Sequence, residues 1–432
     1  MQRSSWGRPL EPLVSRFGVV NATSTLPAAR GLPDLVMVGA MIGSGQPGRW
    51  AGGDQTAAGG RALGDAGLAR ALALAEAAER YSSWEPPNVV YRRCSAADLD
   101  GRALDHTGFP RCSPAEYAAP DCPVVPFDED AEIRWVPGTD LQTGEEVWVP
   151  ARMATYRLAE TSAAERFWYP ISTGFAVHSD PVAAVFGGLA EVVERDAIAL
   201  LWLQRLPLPE IPRSAVDGDP QAAVLLDWCA GHHVEARLFD ATTDLGLPTV
   251  YAVLRSPHDE VLHTLVGAGT GMTITEATLK ALLESVAVRL TVSTSVAPPE
   301  TFADFHAVID GARYTGAYRH AAAFDFLLAP HPDRPPYRER GRYADDSGTA
   351  LRRLAGTLAD AGLEAAVVDR TSDELAEVGL TAVCVVVPGV QPMSLDPRAQ
   401  FRAHPRLYTG PVRMGYPAAD LDDLNPLPQP FG

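Results

Sequence analysis

Two long, largely apolar stretches of this sequence carry nearly the same charged string. The string Glu76-Ala77-Ala78-Glu79-Arg80 ends the first stretch, and Glu191-Val192-Val193-Glu194-Arg195 lies within the second. In a helix the positions i, i+3 and i+4 share one face, so each string presents two carboxylates and a guanidinium together. A charged cluster on a helix that is apolar almost all round is either paired inside the protein or lines a cavity. The fold must therefore either pair these charges inside the protein or place them at a cavity.

The two strings together would suit a site for a metal and a nucleotide. Their glutamates are Glu76, Glu79, Glu191 and Glu194. If these side chains face one another, they offer the oxygen ligands that Mg²⁺ prefers, and the metal offsets the cost of burying them. Arg80 and Arg195 would then contact phosphates through paired hydrogen bonds. The alternative is a pair of core helices held by salt bridges, and the residues by themselves leave both interpretations open.

A single lysine, Lys280, stands among many arginines. The chain therefore has no Gly-x-x-x-x-Gly-Lys-Ser/Thr phosphate loop. If it binds a nucleotide, arginine and carboxylates bridged through metal must hold the phosphates.

The overall charge and hydropathy limit the classes of partner that the chain can bind. The net charge is −18 and the pI is about 5.0, which argues against nucleic acid because phosphate backbones need clustered basic residues. No window reaches the roughly 20 uncharged apolar residues of a membrane-spanning helix. The first residues, Met1 to Pro12, carry charges and prolines instead of the apolar core of a signal peptide. We expect a cytoplasmic protein that binds neither nucleic acid nor membrane.

Periodicity and turn signals predict a mixed α/β (α+β) chain. Asp180-Pro181 marks the start of a helix over Pro181–Gln204, and Thr143-Gly144 marks the turn of a hairpin over Glu132–Val149. The other predicted helices are 61–83, 273–292, 302–312 and 348–361, and the other predicted strands are 234–239, 249–254, 365–368 and 382–387. Residues 1–55 are expected to pack as an N-terminal segment on a catalytic domain over 56–432, which ends in a proline-rich tail, 425–432.

Three weaker signals have a structural and a functional interpretation. The segment Gly267 to Met272 is similar to a dinucleotide fingerprint, but methionine occupies its third glycine position, which favours a tight strand-to-helix turn. Glu284 and Arg289, late in the next helix, are either a third part of the site or a surface pair. The five cysteines fit no zinc spacing, and we expect free thiols.

These motifs, taken together, resemble those of a known family. Ser172-Thr173-Gly174-Phe175-Ala176, followed by Glu191-x-x-Glu194-Arg195-Asp196, resembles the core signature of the YcaO family. Glu76-x-x-Glu79-Arg80-Tyr81 resembles its first conserved helix. Three further segments resemble the family's hairpin, its late strand and turn, and the proline-rich tail of its azoline-forming members: Trp135 to Ala151, Val385 to Pro392, and Pro426-x-Pro428-x-Pro430. The resemblance covers Gly60 to Gly432 in the expected order.

The resemblance implies a fold of helices packed on mixed sheets around an ATP and magnesium site. It implies that the magnesium ligands are Glu76, Glu79, Glu191 and Glu194, that Arg80 and Arg195 contact phosphates, and that Ser172 and Gly174 shape the nucleotide pocket. Glu284 and Arg289 resemble a third motif of the family, Glu-x-x-Gln-x-Arg, in which this chain has Ala287 in place of the glutamine. The residues to which the resemblance gives a catalytic role are Arg195, Pro430 and Gly432.

The reaction implied by the resemblance is cyclodehydration of a ribosomal precursor peptide. A Cys, Ser or Thr side chain attacks the preceding backbone carbonyl, and the resulting oxyanion takes the γ-phosphoryl group of ATP. Phosphate then leaves, which gives a thiazoline or oxazoline, ADP and phosphate. In azoline-forming relatives the C-terminal tail enters the active site, where its carboxylate helps proton transfer, and Gly432 would supply that carboxylate here. Without the resemblance, a tail of this composition would be interpreted as disordered.

The resemblance also implies partners. We expect a leader-binding partner protein with a ubiquitin-activating-like or winged-helix module, because no segment of this chain resembles one. A flavin dehydrogenase often follows and oxidises azolines to azoles. A homodimer or a hetero-complex is the expected assembly.

Three alternatives stay open. A YcaO protein can form a thioamide or a macrocyclic amidine with a different nucleophile. The chain can also be a scaffold that binds nucleotide or peptide without turnover, or a structural protein whose paired helices are only salt-bridged. The proline-rich tail favours azolines, and the intact glutamates argue against a scaffold.

Overall fold

The computed structural model describes residues 10–32, 34–43, 57–85, 89–292, 296–305 and 307–431. They divide into two compact units, each assembled from three stretches of chain. The first unit takes its residues from Met1–Phe109, Pro123–Val192 and Asp346–Gly389, and the second from Pro110–Cys122, Val193–Asp345 and Val390–Gly432. The division falls inside one long helix, after Val192.

The helices and strands are interspersed along the described chain, mostly in runs of two to four elements of one type. The helices are α1 Ala66–Ser82, α2 Pro114–Ala118, α3 Pro181–Gln204, α4 Pro220–Gly231, α5 Ile274–Thr291, α6 Asp310–Gly316, α7 Asp325–Leu328, α8 Ser347–Asp360, α9 Asp373–Glu377 and α10 Arg406–Arg413. The strands are β1 Val20–Thr25, β2 Leu35–Ile42, β3 Ala57–Leu63, β4 Arg92–Cys94, β5 Ile133–Asp140, β6 Glu146–Pro150, β7 Phe175–His178, β8 Glu235–Asp240, β9 Thr249–Arg255, β10 Thr264–Thr270, β11 Ala366–Asp369 and β12 Thr381–Val386.

Three antiparallel sheets organise these strands. The first unit contains the sheet β1-β2-β3 and a larger sheet of order β4-β5-β11-β12-β7, in which β6 also pairs with β5. The second unit contains the sheet β10-β9-β8. The predicted mixed α/β class is confirmed, and all these ladders are antiparallel.

Helix α1 begins where β3 ends because two local signals stop the strand. Gly64 adopts a left-handed φ of +70°, a conformation that glycine reaches without steric cost. The Asp65 carboxylate then accepts a hydrogen bond of 2.8 Å from the Leu68 backbone N–H and so caps the helix. Residues 61–63 therefore belong to β3. The predicted helix start at Arg61 is wrong, and the helix begins at Ala66.

Helix α1 lies directly on β3 because glycine leaves room for it. A Cβ atom at Gly60 would overlap the Ala69 carbonyl oxygen and the Ala73 backbone nitrogen. A Cβ at Gly59 would only approach the Val38 carbonyl oxygen at 3.8 Å, an ordinary contact. Small buried alanines of α1, among them Ala73 and Ala77, complete this close packing. The charged string of α1 is thereby held against the sheet.

Replacing Gly60 with alanine is expected to lower the free energy of unfolding by about 2–3 kcal/mol, because the added methyl group has no space between β3 and α1. Urea unfolding followed by circular dichroism measures this change. Gly59→Ala, at the neighbouring position, is the matched control and is expected to change stability by less than about 1 kcal/mol. Equal effects of the two variants would contradict the close contact at Gly60.

The second unit repeats the same order of elements. Three antiparallel strands, β8, β9 and β10, lead into α5, as β1, β2 and β3 lead into α1. A Cβ at Gly267 would meet the Ala281 carbonyl oxygen at 2.5 Å, and one at Gly269 would overlap the Ala277 carbonyl oxygen. These glycines lie inside β10, beneath α5, so the strand-to-helix turn expected over Gly267 to Met272 begins only at Gly271. The connection comes after Thr270.

Most of the other predicted elements are confirmed within one residue at each end. They are the hairpin 132–149, the helices 181–204, 273–292 and 348–361, and the strands 234–239, 249–254, 365–368 and 382–387. The predicted helix 302–312 is wrong. Asp304 accepts hydrogen bonds from the backbone N–H and hydroxyl of Thr301, and this closes a single 3₁₀ turn, Phe302–Asp304. The chain becomes helical again only at Asp310.

The predicted division of the chain at residue 55 stays a prediction. In the structure β2 and β3, which lie on either side of that position, pair within one sheet. Among the described helices, none combines the length and the apolar character needed to cross a membrane.

Candidate nucleotide and metal site

The carboxylate of Glu76 is fixed from two sides. Arg80, one turn later in α1, donates two hydrogen bonds to one oxygen, from Nη2 at 2.8 Å and Nε at 3.1 Å. The backbone N–H of Gly59 in β3 donates to the other oxygen at 3.1 Å. Glu76 is therefore tied both to its own helix and to the strand beneath it, as a half-buried anion.

The guanidinium of Arg80 remains charged in this setting. Burial by itself lowers the pKa of Arg80, but the carboxylates of Glu76 and Glu79 more than offset it, so the pKa lies above its usual value. Its side chain keeps 29% of its exposure. A charged, partly accessible guanidinium can contact an anion such as a phosphate.

The end of α1 is held by an arginine that sequence reasoning missed. Arg370 is buried and donates to the Ser82 carbonyl at 3.1 Å and to the Trp84 carbonyl at 2.6 Å. Carbonyls at a helix C-terminus lack partners within the helix, so a cation there both satisfies and stabilises them. No local pattern could have identified Arg370, because its partners are backbone atoms nearly 300 residues earlier.

The loop Ser172-Thr173-Gly174 is locked between α3 and β12. Gly174 has a left-handed φ of +87°, and its carbonyl accepts a hydrogen bond of 2.8 Å from the Val385 backbone N–H. A Cβ at Gly174 would overlap the Val385 carbonyl oxygen, and one at Gly188 would meet the Gly174 carbonyl oxygen at 2.6 Å. The loop therefore requires glycine at both positions, and it places the Gly174 N–H within reach of α3.

Glu191 receives that N–H. Its carboxylate accepts a hydrogen bond of 3.2 Å from Gly174. This is the same kind of contact that Glu76 makes with Gly59. The structure thus joins four predicted site residues of the first unit in two local contacts, Glu76 with Arg80 and Glu191 with Gly174. Ser172 lies in the same loop as Gly174.

The rest of the α3 string belongs to the second unit. The Arg195 Nη1 lies 3.6 Å from the Glu194 carboxylate, and both side chains are largely buried. Glu194 and Glu191 are three residues apart on one helix, so they share a face of α3.

The next residue of α3, Asp196, has a structural role that no local pattern predicts. Asp196 is fully buried and accepts hydrogen bonds from Arg406, the shortest at 2.7 Å, and from the Gln391 backbone N–H at 2.9 Å. Arg406 also donates to Asp244 at 2.6 and 2.9 Å. Burial by itself lowers the pKa of Arg406, but these two carboxylates raise it above its usual value. The aspartate of the signature thus anchors the second unit.

Glu284 repeats the contact made by the other two glutamates. Its carboxylate accepts a hydrogen bond of 2.8 Å from the Ala268 backbone N–H in β10. Tyr251, paired with Ala268 across the sheet, is fully buried, and its pKa lies well above the usual value because of burial and, to a lesser extent, the charge of Glu284. Each of the three helices α1, α3 and α5 therefore presents a glutamate held by a backbone N–H.

Arg289 is occupied elsewhere in the second unit. It donates to the Leu262 carbonyl at 2.9 Å and to Asp259 at 3.2 Å. Burial lowers its pKa, and Asp259 opposes that shift. Arg289 thus pairs with Asp259, and its role in binding the nucleotide stays a prediction. Ala287, in place of the glutamine of the third motif, is buried in the same helix.

The proline-rich tail is packed, not loose, over the residues that the structure describes. The Trp202 indole donates to the Leu427 carbonyl at 3.0 Å, and the Asn425 N–H donates to the Leu203 carbonyl at 2.8 Å. Pro430 is buried, and the buried Phe431 ring meets Tyr251 edge to face at 5.7 Å. The predicted catalytic residue Gly432 lies outside the described residues.

The donor set of the two strings is chemically suited to a hard cation. It consists of half-buried carboxylates, the ligand type of Mg²⁺. Among the residues that the structure describes, no three His, Cys, Asp or Glu side chains are grouped as a metal site. The assignment of Glu76, Glu79, Glu191 and Glu194 as magnesium ligands stays a prediction. The cysteines of the chain are free thiols.

Comparison with known proteins supports one family. An uncharacterised protein of Methanothermobacter thermautotrophicus is 30% identical over 336 residues, which is 76% of this chain and 80% of the relative. Among solved structures, a heterocyclase in complex with substrate and cofactor superposes with a TM-score of 0.78 at 23% identity, over 96% of this chain and 55% of that chain. The chain thus spans about half the length of that heterocyclase. YcaO from Methanopyrus kandleri, bound with AMPPCP and Mg²⁺, superposes with a TM-score of 0.59 at 19% identity, over 88% of this chain and 89% of that chain.

The likeness to these structures shows the fold. The sequence profile of one family, described as YcaO cyclodehydratase, ATP- and Mg²⁺-binding, matches residues 64–391. This range contains both charged strings and the loop whose Gly174 N–H donates to Glu191. The chain belongs to the YcaO family.

Proposed function

We propose that this protein is an ATP- and Mg²⁺-dependent enzyme that forms thiazoline or oxazoline rings in a ribosomal precursor peptide. The observation that carries the proposal is the pair of glutamate strings on α1 and α3, in which Glu76 and Glu191 are each held by a glycine N–H. A carboxylate that is oriented by a backbone N–H is pre-positioned for a ligand. Two core helices held only by salt bridges would not need this additional contact.

The residues have distinct roles in the proposed reaction. Glu76, Glu79, Glu191 and Glu194 would hold magnesium, which when bound neutralises charge on the phosphoryl group. Arg80 and Arg195 would contact the phosphates of ATP. Ser172 and Gly174, in the locked loop, would shape the nucleotide pocket, and Glu284 would extend the carboxylate set from α5.

The net reaction forms a ring with loss of one water, and ATP is converted to ADP and phosphate. The thiol or hydroxyl of a substrate Cys, Ser or Thr bonds to the preceding carbonyl carbon and loses its proton. The former carbonyl oxygen takes the γ-phosphoryl group of ATP and releases ADP. The amide nitrogen then loses its proton while the C–O bond breaks, so that phosphate leaves and the C=N bond of the azoline forms. Phosphorylation makes the amide oxygen a good leaving group, which it otherwise is not.

The tail and the partners complete the proposal. The packed segment that contains Pro430 would bring the C-terminal end of the chain to the reacting peptide. A separate leader-binding protein would deliver the precursor, and a flavin dehydrogenase would oxidise azolines where azoles are the product.

The proposal is tested by incubating the protein with ATP, Mg²⁺, candidate precursor peptides and partner protein. Loss of one water mass per modified residue, with equal amounts of ADP and phosphate released, is the expected result. Exchange of sulfur for oxygen in the peptide would support thioamide formation, and a ring closed with loss of water through an amine would support a macrocyclic amidine. Binding of ATP or peptide without turnover under every pairing would support the scaffold.

Removal of magnesium is expected to weaken ATP binding at least about 100-fold, because four glutamates would then face the phosphates without a cation between them. Isothermal titration of ATP with Mg²⁺ and with EDTA measures the difference. AMP, which carries less charge, serves as the control and is expected to lose less affinity. Equal affinity for ATP in both buffers would show that the glutamates do not bind ATP through metal.

A further inference from the structure

A cleft opens in the second unit beside the edge strand β8. Its volume is about 510 Å³, and it lies between β8, α4 and the segment 210–213. The apolar residues that line it include Ile211, Leu226, Ala230, Val234, Ala236 and Leu238. None of these residues belongs to the motifs assigned to ATP or magnesium.

The backbone of β8 is only partly paired on its outer side. In antiparallel strands the backbone groups of alternate residues point to opposite sides. The Leu238 carbonyl accepts from the Ile211 N–H at 2.8 Å, and the Asp240 N–H donates to the Pro209 carbonyl at 2.9 Å. The even-numbered residues of β8 therefore point their backbone groups away from β9. This outer pairing stops at Ile211, so the N–H and carbonyl of Ala236 face the cleft.

We propose that this cleft binds an extended segment of the peptide substrate, which adds to β8 as a further strand. The inference rests on the proposed function, since it takes the substrate to be a peptide. A strand edge with outward N–H and carbonyl groups is a template for a chain of the same conformation. The cleft begins where the chain's own outer pairing ends, so an added strand would continue the ladder already started by Pro209 and Ile211.

The two faces of the cleft determine which side chains of a bound segment would fit. Successive side chains of a strand point to opposite faces. On the face of Ala236, every second side chain of the added strand would enter between Leu226, Ala230 and Ile211. On the opposite face the remaining side chains would meet the ion pair of Arg237 and Glu210, whose shorter contacts are 2.5 and 2.8 Å. The segment should therefore alternate apolar and polar residues.

A single chain suits the cleft better than the sheet of a second copy. The cleft is walled by α4 on one side and by the segment 210–213 on the other, and its volume is in the range of about 300–1,000 Å³ that holds single ligands. Glu235 and Arg237 also place charges on the edge of β8, and charged edge residues oppose the pairing of whole sheets.

Two substitutions are expected to weaken peptide binding in the cleft, one by filling the space and the other by removing a hydrogen-bond donor. Ala230→Arg adds a long side chain from the exposed surface of α4, where arginine is a good helix former. Ala236→Pro removes the outward N–H, and an edge strand tolerates proline where the N–H points outward. Val224→Arg, at an exposed position of the same helix that does not line the cleft, is the matched control.

The probe is a set of 12-residue peptides selected by display on the wild-type protein without ATP. Alternation of apolar and polar residues is expected, with binding at least tenfold weaker to Ala230→Arg and Ala236→Pro and unchanged for Val224→Arg. Hydrogen exchange of the Ala236 and Leu238 amides should slow when the peptide binds. With a precursor peptide, Ala230→Arg should raise KM for the peptide while kcat and ATP affinity stay unchanged.

Other outcomes separate this inference from the proposed function. Failure to select any peptide, or equal affinity of all variants, would overturn the inference and leave ATP-dependent dehydration untouched. Protein that is dimeric by light scattering and becomes monomeric in Ala230→Arg would assign the cleft to a second copy instead. Peptide binding as expected, together with no ATP turnover, would contradict the proposed function and retain the cleft.

Discussion

Replacing Glu191 with glutamine is expected to slow Mg²⁺-dependent ATP turnover at least about 100-fold while the protein remains folded. Glutamine keeps the shape of the side chain, and its carbonyl oxygen can still accept the hydrogen bond from Gly174. The substitution therefore removes charge and leaves the loop in place. Only a role in binding metal or phosphate-bound metal depends on that charge. Phosphate release measured over a range of ATP concentrations gives the effect on kcat and KM.

The matched control is Glu276→Gln, on α5. Glu276 also accepts a backbone N–H, that of Met272 at 2.9 Å, and pairs with Arg342 on the surface. Its loss should leave turnover within about twofold, since exposed ion pairs contribute little. Full turnover in Glu191→Gln, with magnesium still required, would show that Glu191 does not bind the metal. That result would favour the interpretation of α1 and α3 as salt-bridged core helices.

Replacing Asp196 with alanine is expected to lower the free energy of unfolding by about 3–5 kcal/mol. The substitution leaves the guanidinium of Arg406, itself only 2% exposed, without its main carboxylate, and it leaves the Gln391 N–H without an acceptor. Asp244 alone remains as the partner of Arg406. Urea unfolding, followed by tryptophan fluorescence, measures the change.

Two controls distinguish the effect of breaking the buried ion pair from the effect of removing any negative charge. Asp217→Ala, which removes one of two exposed partners of Arg213, should cost less than about 1 kcal/mol. The double variant Asp196→Leu with Arg406→Met should be less unfavourable than the sum of its single changes. Each single change leaves one buried charge of the pair without its partner, whereas the double variant removes both charges. A small effect of Asp196→Ala would mean that Asp244 alone satisfies Arg406.

Local signals in the sequence predicted most of the fold. The start of α3 at Pro181 is confirmed, and the Asp180 carboxylate accepts from the Val182 N–H at its first turn. The hairpin of β5 and β6 is confirmed as well, with Gly144 in a left-handed conformation at the turn. These elements are determined by capping and turn residues that act within a few positions. The resemblance to the family likewise rests on short motifs, each of which spans only a few neighbouring residues, such as Glu191-x-x-Glu194-Arg195.

What the sequence did not predict depends on contacts between distant residues. The glycines of β10 have the spacing of a turn motif, and only the position of α5 above them explains why glycine is needed there. Asp196 was seen beside the glutamate string, but its role requires Arg406, which lies 210 residues later. The three N–H contacts to glutamates likewise involve two strands and one loop that no local pattern pairs with these side chains.

In the proposed reaction a phosphoryl group of ATP moves to the backbone amide oxygen of the peptide substrate. The most direct measurement is to label that oxygen with ¹⁸O in a precursor peptide and to analyse the released phosphate by mass spectrometry. Because the C–O bond of the amide breaks when phosphate leaves, one ¹⁸O atom is expected in each phosphate formed per ring. Unlabelled phosphate, with the ¹⁸O retained in the peptide or released as water, would contradict phosphorylation of the amide and with it the proposed reaction.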